Sequence, residues 1–229
     1  AVIVVPLLSR GFVLDIPYIS DAQAQTPPIV QALAAPWADG AWPGATIYQA
    51  IDGEYSDEIA AVASSNAAAW GYMSAALPDR NPNIWDRLSS VSVVLQTGSL
   101  TGCTEAQIDA DPTRNLALIG DELVNFTTAT LTATRTYTLS GFKRGRRGTE
   151  WACGTHAARD VFLLLDNAQD VAMGLSEVGT NLSFKAVTSG RTTGLPIAMD
   201  PFTGASLKPY APCHLTATLS GSDWVFTWV

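Results

Sequence analysis

The chain has 229 residues, of which 47% are apolar and 15% charged, with a formal net charge of −8. This composition is globular rather than disordered, and the length suffices for one large β domain or two smaller ones with a substantial core. The acidic balance argues against nucleic acid as a partner, because neutralising phosphates needs a basic face, and no run approaches the ~20 apolar residues of a membrane helix.

Residues 1–20 read as one or two strands separated by Ser9-Arg-Gly11. Ile29 to Ala35 is a short strand or a helical turn, and residues 36–44, with two tryptophans and two prolines, are loop. Thr46 to Ile51 alternates as a strand does, and Asp52-Gly53 marks a hairpin. Ile59 to Met73 is alanine-rich, which favours helix, but the short strands around it favour strands at 58–64 and 69–76. Ile84 to Leu88 leads into a strand over Val91 to Gln96. Residues 97–121 are polar and connective, with a helical turn from Thr104 to Ile108 capped by Thr104.

A β meander with a basic turn comes next. Glu122 to Phe126 continues through a threonine-rich run to Thr136, and Tyr137 to Phe142 follows; Val124, Phe126, Tyr137 and Leu139 alternate with polar neighbours. Lys143, Arg144, Arg146 and Arg147 then crowd into five residues between Phe142 and Gly148, as the charged tip of the meander. Val161 to Leu165 does not alternate, which predicts a strand covered on both faces. Leu182 to Thr188 is a further strand, residues 189–207 are loop-like, and strands at Tyr210 to Leu219 and Trp224 to Trp228 close the chain.

The stretch Tyr137-Thr-Leu-Ser-Gly-Phe-Lys-Arg-Gly-Arg-Arg-Gly-Thr-Glu150, then His156-Ala-Ala-Arg-Asp160 and Phe162-Leu-Leu-Leu-Asp166, resembles the large tail-tip hub proteins of siphophages and gene transfer agents, also called host-specificity or baseplate "megatron" proteins. Asn115 to Phe126, Leu14 to Ile19, Trp42 to Tyr48 with Asp52-Gly53, and Trp85-Asp86 before Val91 to Leu95 resemble the same family in order along the chain. Tyr210 to Trp228 is similar to the opening of a fibronectin type III module. The ends, Ala1-Val-Ile-Val-Val5 and Trp224 to Val229, read as cuts within a longer polypeptide.

The expected fold is mostly β, antiparallel sandwich- or barrel-like domains with few short helices. The expected division is an N-terminal β-rich region (1–97), a β domain with the basic hairpin (98–208), and the first strands of a truncated fibronectin-like module (209–229). The resemblance implies a structural subunit of a virion tail tip or baseplate, made in the bacterial cytoplasm. It also implies a homotrimer that contacts other distal-tail and baseplate proteins and serves tail assembly and host attachment or DNA delivery.

Searches for chemistry find little. There is no nucleophile elbow, phosphate-binding loop, or zinc-protease helix, so neither an enzyme nor a metal or other cofactor is expected. His156 is read as a structural hydrogen-bonding residue of the loop, and His214 as a half-exposed strand residue. Cys103, Cys153 and Cys213, odd in number and widely spaced, are expected to be reduced thiols. For Lys143, Arg144, Arg146 and Arg147 a solvated hairpin tip and a contact to an acidic neighbouring subunit both fit, and the family match at this loop favours the subunit contact. Glu150 could pair with one of these arginines inside the loop. The alternative function is a module binding a host-surface glycan or receptor through loops bearing Trp37, Trp42, Trp70 and Trp85.

Overall fold

A computed structural model describes residues 6–25, 27–209 and 216–227. They form antiparallel strands with few short helices. The strands are β1 (Ser9–Leu14), β2 (Ile29–Pro36), β3 (Gly44–Ile51), β4 (Glu54–Ala63), β5 (Trp70–Met73), β6 (Asp86–Thr97), β7 (Leu116–Ile119) and β8 (Glu122–Ala133). They continue with β9 (Thr136–Lys143), β10 (Val161–Leu164), β11 (Gln169–Ala172), β12 (Leu182–Thr188), β13 (Gly194–Met199), β14 (Thr216–Ser220) and β15 (Asp223–Thr227). One α-helix, α1 (Glu105–Ala110), lies between β6 and β7, and its N-cap is Thr104, whose side chain accepts from the Gln107 amide.

Three layers follow from which faces are apolar. A three-stranded sheet, β1-β2-β11, packs on a four-stranded sheet, β13-β12-β3-β4. Between them lie Val13, Val30, Ala32 and Ala34 from the first and Ala45, Ile47, Ala60 and Phe184 from the second. β10-β5-β6-β9-β8-β7 close into a barrel filled by Val93, Leu95, Ile119, Val124, Phe126, Leu139 and Phe162. The barrel's outer wall, through Trp70, Leu116, Leu123 and Leu163, packs on Phe12, Leu33 and Ala35 from the far face of the three-stranded sheet. β2 is thus covered on both faces and buried at all eight positions. Each Leu- or Phe-sized side chain enclosed this way contributes about 1.5–3 kcal/mol. Arg10 ties the layers together, its guanidinium 4.4 Å from the Trp70 ring centroid and bonded to the Tyr72 hydroxyl at 3.2 Å.

The mostly β expectation holds, and the alanine-rich stretch forms strands β4 and β5 rather than helix. Asp52 and Gly53 make the predicted two-residue turn, with φ of 51° and 85°. β10 is covered on both sides, Phe162 facing the barrel interior and Leu163 the sandwich.

Four readings are corrected. Ser9-Arg-Gly11 does not separate two strands; it lies within β1, and Gly11 is there because a Cβ would sit 2.6 Å from the Ala186 Cβ of the opposing sheet. The supposedly loop-like 189–207 contains β13, an edge strand that tolerates Pro196. The connective region 97–121 contains β7, four residues long and packed on both faces. The threonine-rich run turns at Thr134-Arg135, where Arg135 has a φ of 55°, and the basic residues that follow β9 are not a hairpin tip, because β9 and β10 on either side of them do not pair with each other.

The barrel takes β5 and β6 from before residue 98 and β7 to β10 from after it. β14 and β15 form a separate two-stranded sheet, all ten of whose residues are exposed. Among the described residues no helix is long and apolar enough to cross a membrane.

Candidate functional site: a buried charged knot at one end of the barrel

The alternation that puts Val124 and Phe126 on the barrel's inner face puts Glu122 there too, at the first position of β8. Glu122 is fully buried, and so is Arg144, which follows directly on β9. The guanidinium grips the carboxylate with Nε on Oε1 at 2.8 Å and Nη2 on Oε2 at 2.7 Å. Its remaining donors reach the Pro78 carbonyl at 2.7 Å and the Cys153 carbonyl at 3.1 Å. Asp86, at the start of β6, lies 3.6 Å from Nη1. Arginine's planar fork suits this two-pronged contact, and lysine could not reproduce it.

The segment between β9 and β10 folds over this end of the barrel and is fastened to the same carboxylate. The Gly145 amide donates to Glu122 Oε1 at 2.6 Å, and the Cys153 thiol does so at 3.2 Å. His156, its side chain only 1% exposed, places Nε2 2.6 Å from Glu122 Oε2 and Nδ1 3.2 Å from Asp160 Oδ2. A ring carrying both protons satisfies the two carboxylates at once; a neutral ring satisfies one. The Ala157 amide also donates to Asp160 Oδ2, at 3.0 Å. Gly145 and Arg147 both take left-handed backbone, with φ of 57° each, and so bend the chain back across the barrel mouth.

Burial by itself would push the Glu122 carboxyl up. The hydrogen bond from His156, then the bonds and charge of Arg144 and the Gly145 amide, outweigh burial and hold it at about 2. Asp86 is also held below the usual carboxylate range: burial opposes, and hydrogen bonds from Ser89 and Leu88 with the charge of Arg144 prevail. Cys153 moves the other way, pushed up to about 12 by burial and by the Glu122 carboxylate beside it.

Acid, imidazole and thiol thus stand together, but the geometry is a clamp. The thiol faces the carboxylate, not the imidazole, so nothing converts it to thiolate. Glu122 is saturated with donors and has no open lone pair with which to take a proton from a substrate. Among the described residues no group of three or more metal-binding side chains is placed to hold an ion. Cys103 and Cys153 are free thiols, and Cys213 and His214 lie outside the described residues. At pH 8 Cys153 is expected to react with a small disulfide reagent about 10³-fold more slowly in the native protein than in the unfolded chain, given its suppressed thiolate fraction. Peptide-level mass spectrometry of the labelled protein reads this out, and equal labelling rates would contradict the burial argument.

The four basic residues are not one exposed patch. Arg144 is 1% exposed and unavailable to any partner, which corrects its reading as a subunit contact. Lys143 donates to Asp109 at 2.7 Å and lies over the Trp85 ring. Arg147 donates to Asp21 at 2.7 Å, and the half-buried Arg146 gives its carbonyl to Thr149. Glu150 is exposed, and the carboxylate that pairs with Arg144 is Glu122.

The four tryptophans do not line a common groove either. Trp42 is buried with its Nε1 on Ser9, Trp70 is buried with its Nε1 on the Pro36 carbonyl, Trp37 packs edge-on against Trp70, and Trp85 lies under Lys143. Trp151, 67% exposed against 37% for Trp37, stands on the loop that the knot holds. It borders a cavity of about 380 Å³ whose lining includes Ile16, Leu118, Arg147 and Lys208.

Sequence reasoning missed Glu122, Asp86, Cys153 and Asp160 as members of one cluster. The strand alternation just described was the available clue for Glu122. Comparison with known proteins adds two findings. No curated protein matches the chain. Residues 68–163 match the family model described as "Rcc01698-like, C-terminal", a span that runs from the approach to β5 into β10 and so covers the closed barrel together with its knot.

Proposed function

We propose that this chain is a structural subunit of a phage-like tail tip, part of a central hub or host-specificity protein, assembled as a homotrimer and lacking catalysis of its own. One observation carries the reading. The basic segment that gives the chain its resemblance to tail-tip hubs folds as an internal clamp, using its arginine, histidine and cysteine to fix a loop rather than to present reactive groups. The family match over the barrel supports the same assignment at a coarser level. Other tail and baseplate proteins are the partners in this reading, and the tail tip of the virion is its place.

What the clamp presents outward is Trp151. A large aromatic held rigidly at a surface makes a contact at low entropic cost. Trp151→Ser in the full particle is therefore expected to lower the yield of assembled tails at least several-fold, while particles that do form adsorb normally to the host. Normal yield with lost adsorption would instead favour the receptor-binding role.

A further inference from the structure

A slot of about 350 Å³ lies between barrel and sandwich and runs along β1 from Arg10 to Ile16. Leu118 and Val161 of the barrel wall it on one side, and Ala198 and Met199 of β13 on the other. Its floor is a strand edge. The Trp37 amide bonds to the Leu8 carbonyl at 3.2 Å, and antiparallel alternation from that pair turns the backbone groups of Arg10, Phe12 and Leu14 toward β2. Those of Gly11 and Val13 therefore face the slot, where no described strand pairs with β1. The chain that leads into β1 does not turn back over them. Leu8 continues the ladder with β2, and the carbonyls of Pro6 and Leu7 are held by Arg191 and Thr188.

The two ends of the slot carry opposite and uncompensated charge. At one end the Arg10 guanidinium lies 4.4 Å from the Trp70 ring centroid and 5.0 Å from that of Trp37, and it spends one donor on the Tyr72 hydroxyl. Arg159 lies over the same Tyr72 ring, at 5.7 Å. Neither arginine belongs to any ion pair among the described residues. A guanidinium offers five N–H donors, so a carboxylate arriving here would find a planar fork open to it.

At the other end the slot opens into the cavity beside Trp151, the two sharing Asp15, Ile16, Leu118 and Asp121 in their walls. Asp15 is occupied by the amides of Thr203 and Ala205. Asp121 and Glu150 are exposed and make no ion pair among the described residues. The cations of that cavity are committed elsewhere, Arg147 to Asp21 and Lys208 to the Thr203 hydroxyl at 3.4 Å.

We propose that the slot beside β1 is a binding site for an extended segment of a partner protein. The segment adds to the three-stranded sheet antiparallel to β1, apolar on both faces, with a basic residue at Asp121 and a carboxylate at Arg10. Each feature answers to one requirement. The free N–H and C=O groups of Gly11 and Val13 call for a peptide backbone, which an alkyl chain could not supply. Successive side chains of a strand point to opposite faces, so one inserted strand meets both the barrel wall and β13. Five residues of strand span about 17 Å, the reach from Arg10 to Asp15. The site is read from its own chemistry and does not depend on the tail-tip assignment.

The probe is the capped pentapeptide Lys-Val-Ile-Val-Glu, titrated into the purified 229-residue chain, with hydrogen exchange followed amide by amide by nuclear magnetic resonance. Saturable binding is expected, with slower exchange at the Gly11 and Val13 amides. The same peptide N-methylated at both valines loses the donors that face β1 and should bind about 10-fold more weakly or worse. The reversed order Glu-Val-Ile-Val-Lys should suffer similarly, since it sets like charges together at both ends. Asp121→Lys changes an exposed side chain and leaves the stacked Arg10 in place. It should weaken Lys-Val-Ile-Val-Glu and bind Glu-Val-Ile-Val-Glu in its stead. No saturation, equal binding of the N-methylated or the reversed peptide, or an Asp121→Lys protein with unchanged preference overturns the proposal. So do Gly11 and Val13 amides already slow before peptide is added, which would mean that the edge is filled by the chain itself or by a second copy. Each of these outcomes leaves the yield measurement on Trp151→Ser particles to judge the assembly role separately.

Discussion

Arg144→Ala is expected to lower the melting temperature by about 10 °C or more, because it strands a buried carboxylate. Breaking one side of a buried ion pair costs about 3–5 kcal/mol, and in a domain of this size each kcal/mol moves the midpoint by about 2–4 °C. The loss is more than Coulombic. Glu122 loses its two-pronged donor, and the carbonyls of Pro78 and Cys153 lose theirs. Arg144→Lys should fall close to Arg144→Ala, since one ammonium cannot reach Glu122 and both carbonyls together. Arg146→Ala, on a half-buried side chain two residues on, should cost far less. Replacing both arginines should therefore resemble the Arg144 change alone, and reduced particle yield from such a double variant would report misfolding rather than a lost contact. Thermal unfolding followed by circular dichroism decides it: an Arg144→Ala protein that melts with the wild type would remove the knot from the account of stability.

What could be read beforehand, and what could not, follows from this site. The β class was legible because period-two alternation marks a half-buried strand locally, as at Val124 and Phe126. The Asp52-Gly53 turn and the Thr104 cap were legible because a few residues fix each. β13 was hidden by Pro196, which speaks against a strand unless one knows that its missing N–H faces a free edge. The turn at Thr134-Arg135 was hidden because arginine carries no preference for the left-handed backbone it adopts there. The error over the basic segment had a different origin. Four cations in five residues read as solvated because long-range pairing is absent from local pattern. Arg144 and Glu122 are 22 positions apart, and only closure of the barrel brings them together.

The knot also sets how the fold responds to acid. Glu122 has its carboxyl lowered from 4.5 to about 2 in the folded chain, so the native state holds this proton less tightly than the unfolded state. The sign follows. The stabilisation is fully present above the unfolded value near 4.5 and is lost as pH falls toward 2. At 1.36 kcal/mol per unit, a shift of this size corresponds to about 3 kcal/mol, comparable to the cost of removing the arginine. Asp86, lowered as well, adds in the same direction, whereas Asp166, raised chiefly by burial, subtracts. The expected result is a urea midpoint steady from neutral pH down to about 5, then falling steeply between about 4.5 and 2. Glu122→Gln keeps the shape but carries no titrating proton and makes a weaker bond to Arg144. It should therefore start lower at pH 7 and descend less over the same range, so that the two curves converge in acid. Parallel curves for Glu122→Gln and wild type would place the acid sensitivity in other carboxylates and deny the knot its role.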